Sequence, residues 1–243
     1  NFFHKNIRPS RLPLVLLQPA VRLQAIMERK FKLASSVAQL ATSATVGVFF
    51  GVVVSIVANL FVDGVLFLSD IRTSFFLLTF SGVEISLGHV VTLATAALLI
   101  YGIRKILKVD RWQGPADTIY EAHRPDNELN VKVGLASTLA AFISASGGAS
   151  VGQYGPLVHF GAVIGSGLKR FISERLPTDV FIGCGVAAAI SAGFGAPIAG
   201  VIFAHEAILR HFSLRAIAPI AIASCVAAGM TELLWKGEKL FEI

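Results

Sequence analysis

Gly152-Gln153-Tyr154-Gly155-Pro156 interrupts an apolar stretch that runs from Gly134 to Gly167. Glycines bracket the break, a proline follows, and a new apolar run begins. That order starts a helix part-way through a bilayer. Such a start aims unpaired backbone N–H groups and the positive end of a helix dipole into the protein, an arrangement suited to a desolvated anion. The third residue of the stretch is a tyrosine, which bears directly on mechanism.

Reading outward, Pro156 to Leu168 is about half a membrane thick at roughly 1.5 Å per residue. Lys169, Arg170, Glu174 and Arg175 close it. Val180 to Ala192 is another short apolar segment, broken by Gly193-Phe194-Gly195-Ala196-Pro197 and resumed from Ile198 to Leu209. Short or glycine/proline-interrupted apolar segments point to a transport site, because their backbone polar groups must be satisfied within protein or water.

The rest of the chain supplies the frame. Val131 to Ser146 reads as a helix rich in alanine and serine, and Ala216 to Trp235 as a full span. Leu87 to Leu107 reads as a span ending in Arg104 and Lys105, with Glu84 and His89 near its interfacial start. Ala34 to Leu68 is longer than one perpendicular span and is expected to tilt, or to bend near Gly47 and Gly51. Phe75 to Phe80 reads as an apolar patch dipping into the interface. Trp112 to Asn130 is too polar to face lipid; a short helix from about Ala116 to His123 fits it.

Of the 243 residues 54% are hydrophobic and only 15% charged, with mean hydropathy +0.71. A soluble domain carries about 25% charged residues. The chain therefore reads as an all-α, multi-pass integral membrane protein; a β-barrel would repeat alternating strands of roughly ten residues, a pattern missing from the sequence. The net charge is +6. Lys5, Arg8, Arg11, Arg22, Arg29, Lys30 and Lys32 precede the first span, which places the N-terminus in the cytoplasm rather than implying nucleic acid. Residues 1–32, with an amphipathic segment from Leu12 to Lys30, are expected to be a cytoplasmic or interfacial helix, and 33–243 the transmembrane domain. The chain opens on Asn1 rather than Met and reads as a piece of a longer one. Cys184 and Cys225 lie in apolar runs and read as small core residues.

Other motifs have plain readings. Gly161-Ala162-Val163-Ile164-Gly165 is a small-xxx-small face for close helix packing. His205 and His211 are six apart rather than four, so they do not make a zinc-protease helix. His159 reads as a hydrogen-bonded buried imidazole. Glu206, a carboxylate on an apolar helix, reads as reaching water or Arg210. With neither a nucleophile–base pair nor metal spacing, an enzyme is not expected, and neither a metal nor a cofactor is implied.

The stretch Gly152 to Pro156 with Gly161 to Gly165, and the second stretch Gly193 to Glu206, resemble the signatures of the CLC family of chloride channels and chloride/proton antiporters. The second resembles that family's Ala/Gly-Phe-Asn-Ala-Pro-Leu-Ala-Gly with a nearby glutamate. The order of segments from Trp112 through Trp235 fits the family's helices. The resemblance implies an inverted-repeat fold, of which this chain is the first half only, and a homodimer paired through the helices around 197–235. It implies an anion pathway past Gln113, Gly114, Gly152, Gln153, Tyr154, Gly155 and Pro156, with chloride or a similar small anion as ligand and the lipid bilayer as surroundings.

Three departures from the family pattern matter. Where the family reads Gly-Ser-Gly-Ile-Pro, this chain reads Trp112-Gln113-Gly114-Pro115-Ala116, so an amide replaces the anion-binding hydroxyl. Tyr154 stands at the external gating glutamate. The internal proton-relaying glutamate falls at or beside Glu206, and the preferred register puts Ala207 there. A carboxyl of pKa about 4.3 exchanges a proton and competes with chloride, whereas a phenol of pKa about 10 does neither. The expected function is passive anion conduction without proton coupling. The alternatives are a non-conducting scaffold or dimerisation subunit, and a transporter of another small anion.

Overall fold

The computed structural model describes residues 14–74, 77–80, 83–86, 88–124, 129–172, 177–212 and 214–235. The chain divides into two compact units, Asn1–Thr42 and Ser43–Ile243. In the first, the described residues are all helical. The elements that carry the motifs lie in the second.

The elements in chain order are α1 (Leu14–Ser74), β1 (Leu77–Phe80), β2 (Val83–Ser86), α2 (Gly88–Leu107), α3 (Pro115–Ala122) and α4 (Val131–Ser146). They continue with α5 (Tyr154–Ile172), α6 (Thr178–Phe194), α7 (Pro197–Phe203), a six-residue π-helical turn (Ala204–Leu209) and α8 (Leu214–Leu234). Three stretches are long and apolar enough to cross a membrane among the described residues: Ala38–Arg72, Gly88–Leu107 and Arg215–Leu234. Val131–Ser146, Thr178–Phe194 and Pro197–Leu209 are apolar but shorter. The architecture is all-helical apart from the β1–β2 hairpin.

α1 runs along the chain as one helical element, Leu14–Ser74, and its charged run Glu28–Lys32 contains neither glycine nor proline to end it. Within the patch at Phe75–Phe80, Leu77–Phe80 is a strand that pairs antiparallel with Val83–Ser86, Leu77 opposite Ser86. Residues 75 and 76 lie outside the described residues, as do Lys5, Arg8 and Arg11 of the basic N-terminal run.

Gly47 and Gly51 are sites of close helix contact. A Cβ on Gly47 would lie 2.7 Å from the Pro219 carbonyl oxygen, and one on Gly51 2.6 Å from Val226 Cβ. Both glycines let α1 lie against α8. Asn59 Nδ2 donates to Thr231 Oγ1 at 2.8 Å, and Trp235 Nε1 donates to the Asp63 carboxylate. The paired positions climb together along both helices, so α1 and α8 run parallel. Val46, Phe50, Val54, Ala58, Phe61 and Val65 are buried at intervals of three or four, the signature of one helical face.

α6 is the centre of this unit. Every residue from Val180 to Ala192 is buried, as expected of a helix apolar on all sides. Antiparallel α5 lies against it with the backbones touching. A Cβ on Gly161 would collide with the Gly185 carbonyl, and one on Gly165 with that of Phe181. The small-xxx-small face is thus the α5–α6 contact. Serines fix the other side: Ser191 Oγ donates to the Ser224 carbonyl at 2.6 Å, and Ser224 Oγ to the Pro197 carbonyl at 2.7 Å. Cys184 is buried, Cys225 exposed, and both are free thiols.

Candidate functional site

Proline starts three helices here. Pro115 is the first residue of α3, Pro197 the first of α7, and Pro156 the third of α5. Within the first turn a missing N–H removes no intrahelical bond. The α5 helix begins two residues earlier than Pro156 and extends to Ile172, longer than the half-membrane segment expected. Its first residue is Tyr154 itself. The N–H groups of Tyr154 and Gly155 therefore belong to the unpaired start of the helix, and Gly152 and Gln153 donate to no backbone acceptor among the described residues.

The start of α3 lies beside this cradle: a Cβ on Gly155 would sit 3.6 Å from Pro115 Cγ. A buried hydrogen bond of 2.8 Å between Thr118 Oγ1 on α3 and His159 Nδ1 on α5 ties the two helices. His159 is the buried, hydrogen-bonded imidazole expected, and its Nε2 has no partner among the described residues. A Cβ on Gly114 or on Gly152 would meet nothing within 4 Å, so both glycines border open space.

The two helix starts differ in what they leave available. At α3 the Gly114 N–H donates to Asp117 Oδ2 at 2.8 Å, and the Gln113 N–H donates to Ser137 Oγ at 2.9 Å. Asp117 is held in turn by Arg111, 2.5 Å away. A carboxylate of this chain thus already occupies the positive end of α3. What remains at α3 is the Gln113 side chain, whose Oε1 is buried without a partner among the described residues. A half-turn of the amide would present its NH₂ donors to the same place. The signal for Asp117 is in the sequence: an acid three residues after Gly114, at the third helical position.

Tyr154 is packed against the second motif. Its ring lies 4.2 Å from that of Phe194, tilted by 35°. A Cβ on Gly193 would lie 2.6 Å from Tyr154 Cδ1. No role was legible for Phe194 or Gly193 beyond their place in the motif. α6 then ends at Gly195, left-handed at φ 62°, with its N–H donating to the Ser191 carbonyl at 2.9 Å.

The family model for the voltage gated chloride channel matches residues 94–243. The chain belongs to that family. A putative chloride channel protein ClcB-like of Ralstonia nicotianae is 28% identical over 134 residues, 53% of this chain and 30% of the relative. The voltage-gated ClC-type chloride channel ClcB of Citrobacter koseri is 28% identical over 145 residues, 60% of this chain and 34% of the relative. ClcB of Escherichia coli O139:H28 is 27% identical over 139 residues, 57% and 33% respectively. The matched region thus spans about a third of these relatives' length.

Voltage gated chloride channel membership and three candidate spans make the chain part of an integral membrane protein. The family pattern has asparagine where this chain has Gly195. Asparagine and glycine are the residues that take the left-handed conformation found there, so the replacement keeps the helix end intact. Glu206 is exposed on the π-helical turn, with neither a hydrogen bond nor an ion pair to Arg210 among the described residues. It is not brought to Tyr154's end of α5 by any contact in the site. Neighbouring Ala207 is half-buried. His205 is buried, stacked on Phe212 and bonded through Nδ1 to the His211 carbonyl at 3.2 Å. Among the described residues, no group of His, Cys, Asp or Glu is placed to hold a metal ion.

Proposed function

We propose that the protein carrying this chain conducts chloride, or a similar small anion, passively and without moving protons. The observation that carries the reading is Tyr154 as the first residue of α5, amid the amides of Gly152, Gln153 and Gly155, which have no backbone acceptor among the described residues. Backbone N–H groups in a desolvated setting attract any small anion. A phenol there stays neutral at ordinary pH and has no proton to trade. Gln113, Gly114 and Pro156 complete the pathway, with Tyr154 at its gate position. Ala207 beside an exposed Glu206 fits the absence of an internal proton relay.

The orientation in the membrane follows the charge pattern, and the pairing of copies follows the family resemblance. The N-terminus and the last turn of α2, with Arg104 and Lys105, face the cytoplasm. Two copies pair through the helices around 197–235. Full-length protein in liposomes should discharge a chloride gradient with no accompanying change in internal pH. Proton movement in fixed proportion to chloride would sink the reading.

One observation favours a second reading, a non-conducting scaffold. Asp117 already fills the positive end of α3, and a negative charge there repels a passing anion. On that reading, neither wild type nor Asp117→Asn would release chloride from liposomes. Faster release from Asp117→Asn than from wild type would instead place Asp117 as a brake on a working pathway.

A further inference from the structure

Gly193 and Phe194 are adjacent residues of the second motif, and both touch the same ring. Phe194 stacks on Tyr154 at 4.2 Å. Gly193 leaves space that any side chain would take from that ring, 2.6 Å from its Cδ1. Glycine inside a helix costs about 0.5–1 kcal/mol relative to alanine. Gly193 lies two residues before the helix end with no left-handed φ of its own to require it. Its steric reason is the Tyr154 ring. Meanwhile Gly152, two residues before Tyr154, and Gly114, at the start of α3, border open space.

We infer that Gly193 and Phe194 form a seat that holds the Tyr154 ring on the end of α6, clear of the open space before Gly152 and Gly114. They are positioning residues, and the inference rests on the anion-pathway reading for its effect on flux. A methyl at Gly193 evicts the ring rather than breaking the helix, because the atoms it meets belong to a side chain that can turn. The evicted ring has the open space before the bare amides to enter, so the pathway narrows. Loss of the Phe194 ring frees Tyr154 in the same way.

Full-length protein in liposomes tests this with five proteins: wild type, Gly193→Ala, Phe194→Ala, Tyr154→Ala, and Gly193→Ala combined with Tyr154→Ala. Gly193→Ala and Phe194→Ala should each slow chloride release severalfold. In the Tyr154→Ala background, Gly193→Ala should make no difference. Release from Gly193→Ala that equals or exceeds wild type overturns the proposal, as does slowing that persists without the Tyr154 ring. A second readout is independent of flux: 3-fluorotyrosine at position 154 should give a fluorine resonance displaced by the Phe194 ring current. That displacement should vanish in Phe194→Leu and change in Gly193→Ala. An unmoved resonance in both overturns the seat. If wild type and Tyr154→Ala both fail to pass chloride while the resonance moves, the seat stands and the conduction reading falls.

Discussion

Tyr154 carries the mechanism because of what a phenol cannot do. Replacing it by glutamate supplies a carboxyl with an ordinary pKa of about 4.3, which competes with chloride when ionised. Lowering pH through that range protonates the carboxylate and removes the competitor. Chloride release by Tyr154→Glu should therefore rise as pH falls, while wild-type release stays flat over the same range; pH-resolved efflux from liposomes checks both. Thr118 is a second single-residue test. Thr118→Val keeps the shape but leaves His159 Nδ1 buried and unpaired, a loss of roughly 1–3 kcal/mol. It should appear as a lowered Tm in detergent, and Thr118→Ser should recover most of it. At this scale the sequence marks the helix starts clearly, since Gly152 to Pro156 and Ala196-Pro197 punctuate apolar runs. The acid at the third position of α3 is also visible in the sequence, whereas the packing of Tyr154 on Phe194 is not, because those residues lie far apart in the chain.

The elements show where sequence reading succeeds and where it stops. Val131–Ser146 is legible to the residue, because Asn130 caps it, accepting from the Val133 N–H at 3.2 Å, and Gly147 ends it. The β1–β2 hairpin is not legible, since a four-residue apolar run fits a strand or a membrane dip equally. Gly161 and Gly185 are the elements' strictest requirement. Valine at either would drive its side chain into the facing backbone, which cannot swing aside as a side chain can. Overpacking typically costs 1–3 kcal/mol, with backbone collisions at the upper end or beyond, so Gly161→Val should abolish well-folded protein by size-exclusion profile, with Gly161→Ala intermediate. Gly195 behaves oppositely: Gly195→Asn should keep wild-type Tm, and Gly195→Val should lower it, because a β-branched residue resists φ 62°.

Across the whole chain, an α6 buried on every side is braced by α5 and α8, and parallel α1 and α8 are clasped by Asn59–Thr231 and Asp63–Trp235. That frame brings two broken helices of the voltage gated chloride channel family to one place: the tyrosine-bearing start of α5 against the Gly193–Phe194 end of α6. The family and its membrane setting were legible in two motifs whose glycines and prolines have local steric causes. Ion coupling belongs to the complete protein, and it is the property on which the account turns. The most direct measurement is simultaneous recording of chloride and proton movement by the full-length protein in liposomes under a chloride gradient. The account predicts chloride efflux with no proton movement beyond leak, unchanged in the absence of a pH gradient. Protons driven uphill by the chloride gradient would contradict it.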